Sequence, residues 1–144
     1  MPYTLFYSYC PEIAEKETRV ISILSSNNEL GLPIGDYGFL ELFCDECDCR
    51  RVFITVMKGE KSLATLFWGW GSVEFYEKSF FTKDKKYIME ELIGPNLNHM
   101  SQQSILAPKV LKLFIKELFA DKLYLERIKR HYKQFKEELD SKIG

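Results

Sequence analysis

Three of the chain's four cysteines fall within six residues, in Cys44-Asp45-Glu46-Cys47-Asp48-Cys49, and the runs on either side alternate as strands do. Before the cluster, Tyr37, Phe39, Glu41 and Phe43 share one face of an extended chain and Leu40 and Leu42 the other. After it, Val52, Ile54 and Val56 line one face of the run from Arg51 to Met57. Side chains of a strand point alternately to opposite faces, so both runs read as strands and residues 44–49 as the turn between them. This pairing constrains the rest, because a hairpin fixed at its turn decides which faces remain to be covered.

The flanking segments extend the sheet. Tyr3 to Tyr9 alternates like a strand and ends at Cys10-Pro11, and Thr18 to Leu24 is rich in β-branched residues. Ser62 to Trp70 reads as a further strand after the short polar link Lys58-Gly59-Glu60-Lys61. Short links favour antiparallel neighbours, which makes a meander of about four to five strands the simplest sheet. Glu12 to Glu17 is compatible with a loop or a helical turn, and Val73 to Phe81 with a last strand.

Beyond residue 83 the period becomes helical. Lys83 to Leu92 reads as a short helix stopped by Gly94-Pro95, and Val110, Leu111, Phe114, Ile115, Leu118 and Phe119 form an apolar stripe, with Pro108 in the first turn. Asp121 is placed to cap a last helix whose seam is Leu125, Ile128, Tyr132, Phe135 and Leu139. The expected architecture is α+β: one domain over 1–144, with the sheet over about 3–81 followed by two or three C-terminal helices over about 83–140.

Chain length and charge narrow the function classes. At 144 residues the chain is long enough to bury roughly two-thirds of its unfolded surface without a metal or disulfide to make a core. A formal net charge of −1 argues against a whole-molecule polyanion binder. The opening Met1-Pro2-Tyr3-Thr4 carries no secretory pattern, and no apolar run reaches the length of a membrane span. The expectation is a cytoplasmic protein with no membrane partner, in which cysteines serve as metal ligands or free thiols.

Zinc takes four thiolate or imidazole ligands at tetrahedral corners, and the C-x-x-C spacing of Cys44 and Cys47 lets two sulfurs reach one ion from a tight turn. Cys49 opens the returning strand and makes a third. Cys10 is the expected fourth, brought alongside by the first strand, with His99, His131 or water as substitutes. A redox dithiol fits less well, because such pairs sit at a strand-to-helix junction, and Asp45, Glu46 and Asp48 raise thiolate pKa values. Cysteine-nucleophile catalysis lacks an identifiable histidine partner, and four free thiols with no ion is the plain alternative. Arg50-Arg51 directly follows the ligands and reads either as the counter-charge of a thiolate site or as surface charge. Trp68 and Trp70 share a strand face, suited to core packing or to stacking a ligand.

The segments Leu32-Pro33-Ile34-Gly35-Asp36-Tyr37-Gly38-Phe39-Leu40-Glu41 and Cys47-Asp48-Cys49-Arg50-Arg51-Val52, the pair Gln103-Ser104, and Arg130-His131-Tyr132-Lys133-Gln134-Phe135 together resemble an uncharacterised bacterial family. Some members carry an appended SEC-C-type metal-binding tail, whose accessory function is not expected here. The resemblance implies the fold and the cysteine cluster and no substrate. The expectation is then a zinc-binding domain with a structural site of Cys10, Cys44, Cys47 and Cys49, acting as an interaction or adaptor module for a protein partner rather than as an enzyme. The rival readings are a metal- or thiol-dependent enzyme with an open zinc position, and a nucleic-acid binder working through the cations of the last helix, Arg127 to Lys133.

Overall fold

The computed structural model describes residues 3–143. Its centre is the meander β3 (Gly35–Cys44), β4 (Arg51–Lys58) and β5 (Lys61–Gly69), antiparallel throughout. β6 (Asn96–Leu97) closes one edge on β5. The other edge of β3 is shared: β1 (Tyr3–Leu5) pairs with its last residues and β2 (Arg19–Ile23) with its first, giving a six-stranded antiparallel sheet.

This shared edge explains where the alternation of residues 3–9 misleads. The strand stops at Leu5, and residues 6–9 form the one-turn helix α1 (Phe6–Tyr9), followed by α2 (Pro11–Glu17) with its proline in the first turn. β2 takes the edge as far as Phe39, so the first segment can pair only with Leu42 to Cys44 before leaving the sheet. Phe6 is buried instead against the rings of Phe43 and His131. Helices are therefore not confined to the C-terminal part of the chain.

The second departure is α3 (Val73–Ser79), where an aromatic run compatible with a strand is helical. Ser72 decides it, its Oγ accepting the Phe75 backbone N–H and satisfying an otherwise orphaned helix donor. The three-residue helix α4 (Lys85–Tyr87) runs on into a π-helical stretch, Ile88–Ile93. α5 (Ala107–Phe114) likewise continues through a π-helical turn, Ile115–Phe119, and α6 (Lys122–Ile143) starts at the Asp121 cap, whose carboxylate accepts from Leu123 and Tyr124.

The alternation in β3 and β4 holds: Tyr37, Phe39, Glu41, Phe43, Val52, Ile54 and Val56 are all buried on the inner face. Against them pack Val110, Phe114 and Leu118 of the α5 segment and Ile128, Tyr132, Phe135 and Leu139 of α6. Ile115 is exposed, because the π-helical turn rotates the stripe away from strict α spacing. A smaller second core of Tyr76, Ile88 and Leu92 is built by α3 and the π-helical stretch, which lies against β5. Among the described residues, no helix is long and apolar enough to cross a membrane.

Candidate metal centre

Strand pleat decides which cysteines meet. Phe43 points into the inner core, so Cys44, the next residue, points to the opposite face at the end of β3, opposite Tyr3 of β1. The loop after Cys44 turns back through Cys47 and Cys49, and the sulfurs of Cys44, Cys47 and Cys49 all lie within 4.8 Å of one another. Cys44 and Cys49 are buried, whereas Cys47 is exposed. Cys10 is not in this group: it sits at the α1–α2 junction in the inner core and lines a different cleft, facing Gln134 and Glu138 of α6. Its placement follows from the early exit of β1 from the sheet.

Neither histidine joins the cluster. His99 is exposed and lies 3.4 Å from Glu91. His131 is fully buried, with Nδ1 2.7 Å from Glu41 Oε1 and Nε2 2.7 Å from Glu17 Oε1, so both ring nitrogens are engaged. Phe6 stacks on its imidazole with centroids 4.4 Å apart.

The loop is held from three sides. On the sheet edge, Thr4 Oγ1 donates to Asp45. From α6, Lys136 Nζ donates to the carbonyls of Cys44 and Cys47 at 2.5 and 2.6 Å, and the Tyr132 hydroxyl donates to Asp48 while accepting the Arg50 N–H. From α3, the Tyr76 hydroxyl bonds the Cys49 and Arg50 carbonyls and accepts from Gly71 N. Arg50 is left-handed at φ 50°, which turns the chain into β4 and lays its guanidinium over the Phe75 ring at 4.0 Å. Gly69 makes room for this arrangement, since a Cβ there would lie 2.5 Å from both Tyr76 Oη and the Leu92 carbonyl.

Arg51 supplies positive charge from the buried side. It is buried at 6 % exposure against the rings of Phe53 and Phe67, and donates to the Leu92 and Glu91 carbonyls and the Tyr3 hydroxyl. Among the described residues, no carboxylate lies within ion-pairing distance of it. The cluster adjoins this buried cation: burial, and then Cys44, push the Cys49 thiol up, and the Arg51 charge and backbone N–H oppose them. Cys47, exposed as a residue, has its sulfur 3.2 Å from that of Cys44; desolvation of that sulfur and then the adjoining thiols push its pKa up to about 12. Three sulfurs this close resist ionising together unless a cation joins them.

Other residues singled out by pattern have structural partners. Trp68 and Trp70 pack on each other, on Phe119 and on Tyr132. Arg127 donates to the Glu17 carbonyl, Arg130 pairs with the Glu17 carboxylate and Lys129 with Glu126, so these cations of α6 face acidic or carbonyl oxygens.

The fold and the site thus define an α+β protein with a three-cysteine cluster able to hold a metal ion. Comparison of the chain with protein-family models, with curated proteins and with solved structures finds no match.

Proposed function

We propose that this chain is a zinc-binding interaction module in which Cys44, Cys47 and Cys49 hold the ion and the ion fixes the β3–β4 hairpin as a presenting surface. The single observation that carries the reading is the convergence of three sulfurs within 4.8 Å of one another, with the buried Arg51 near enough to act on Cys49. Thiolates select soft and borderline ions, and three of them with a divalent ion form a monoanion beside the cations Arg51 and Lys136. The resemblance to the uncharacterised bacterial family, carried by Cys47-Asp48-Cys49-Arg50-Arg51-Val52, is part of the same reading.

Metal-hydroxide hydrolysis is the weaker use of this site. Three thiolates donate charge to the ion, and Asp45, Glu46 and Asp48 surround it with more, which opposes deprotonation of a bound water. Elemental analysis of protein purified under reducing conditions tests the metal reading: about one zinc per chain is expected, lost in Cys44→Ser and Cys49→Ser and kept in Cys10→Ser. Metal-free wild-type protein would overturn it.

A further inference from the structure

Three sulfurs fill three corners of a tetrahedron, and the fourth goes to whichever donor can reach it. Among the described residues, no histidine or carboxylate completes the group. His131 has both nitrogens committed to glutamates, and Asp48 is engaged by Tyr132 and Arg50. Access from outside runs past Cys47. This exposed cysteine lines an open cleft of about 410 Å³ between the hairpin loop and α6, while the other two sulfurs are on buried residues.

Charge restricts what enters. The cleft is bordered by Asp45, Glu46, Asp48 and Asp140 against Lys133 and Lys136, with Asp48 also paired to Arg50, so an excess of negative charge faces it. An anionic fourth donor would add a second negative charge to the cluster, beside that carboxylate border. A neutral donor adds none, and among neutral donors a zinc ion already bound to thiolates takes an imidazole nitrogen readily. Resting on the zinc reading above, we propose that the fourth corner is a binding site for a neutral nitrogen donor from outside the chain, a histidine side chain on a positively charged segment of a protein partner. The ion then serves two ends at once: it pins the hairpin and forms the contact point for the partner, with the acidic border steering the basic segment inward.

Cobalt(II) makes the corner visible, because its d–d bands report the donor set. Cobalt-loaded full-length protein is titrated with imidazole and separately with azide. The expected result is a saturable change in the visible bands with imidazole, at an affinity exceeding that for azide by about tenfold or more, as repulsion of an anion by close carboxylates implies. A spectrum indifferent to imidazole would overturn the proposal, since a group of the protein would then hold the corner; so would azide binding as tightly as imidazole. Cys10→Ser is titrated in parallel, and a response seen only in that variant would assign the corner to Cys10. Failure of the wild-type protein to take up cobalt or zinc would overturn the metal reading itself, a result separate from uptake without exchange. In the favourable case a short basic peptide containing histidine outcompetes free imidazole, and its alanine-for-histidine counterpart does not.

Discussion

Glu41 Oε1 lies 2.7 Å from Nδ1 of His131, a residue ninety positions away, and both side chains are buried beneath the helix layer. With Glu17 on the other ring nitrogen, the three groups must share two protons for both contacts to be hydrogen bonds. They tie α2, β3 and α6 together at one point. Removing Glu41 leaves a buried imidazole nitrogen without its partner, so Glu41→Ala is expected to cost about 1–3 kcal/mol of unfolding free energy. Glu41→Gln, which keeps a hydrogen-bonding group, costs less. Denaturant unfolding of the two variants against wild type measures the difference, and equal, small losses would contradict a buried latch.

The same unit gives an acid-side pH dependence. The hydrogen bond from His131, and then Arg130, hold the Glu17 carboxyl below its ordinary value of 4.5, although burial pulls the other way. A group depressed in the folded state contributes stability that is fully present above the unfolded value and is lost as pH falls through the folded one. Melting temperature is therefore expected to fall below about pH 4.5, with a shallower fall in Glu17→Gln. Burial raises Glu41, so its contribution has the opposite slope, present at low pH and declining as pH climbs through its raised value. Calorimetry from pH 3 to 7 in both variants, as a rough span bracketing the carboxylate range, separates the two slopes.

Lys136 ties the cysteine loop to the last helix through two carbonyls. Lys136→Met preserves the alkyl stem and deletes the donor, which leaves the Cys44 and Cys47 carbonyls without that partner. Groups that orient metal ligands typically change affinity by about 10- to 100-fold, and a loss of that order in competition with a chromophoric chelator is expected. The helix fold should persist, so far-ultraviolet circular dichroism stays unchanged while affinity for the proposed zinc ion drops.

At Gly69 a single methyl group collides with the Leu92 carbonyl and the Tyr76 hydroxyl. Both belong to the second support of the site, since Tyr76 holds the Cys49 and Arg50 carbonyls and Leu92 accepts from Arg51. Gly69→Ala is expected to destabilise by about 1–3 kcal/mol, the usual cost of overpacking, and to loosen the loop. Thermal melts of the metal-free and zinc-loaded protein check both effects; an unchanged melt would mean that strand β5 yields at no cost.

Much of the sheet was legible from pattern. The period-two rows of β3 and β4, the turn between them, the Pro108 and Asp121 positions and the α6 seam are local or one-dimensional properties, and the burial of Tyr37, Phe39, Val52, Ile54, Ile128 and Phe135 follows them. Glu41 stands in the inner row as plainly as the aromatics around it, and a carboxylate in such a row signals a buried partner. Nothing in the local sequence names that partner as His131. Residues 3–9 read as one strand because alternation records what an edge would accept, and only β2's occupation of β3 shows that the edge was already taken.

The amino-acid order by itself determined that three thiols would lie together, because a turn of six residues leaves Cys44, Cys47 and Cys49 little room to separate. Tertiary structure alone decided that Cys10 would lie with the inner core, that Arg51 would be buried beside the sulfurs, and that Lys136, Tyr132 and Tyr76 would brace the loop. The physical reason is range. Spacing and periodicity act over one turn or one strand, whereas the face of a sheet on which a distant side chain lands depends on which edge its segment finds free.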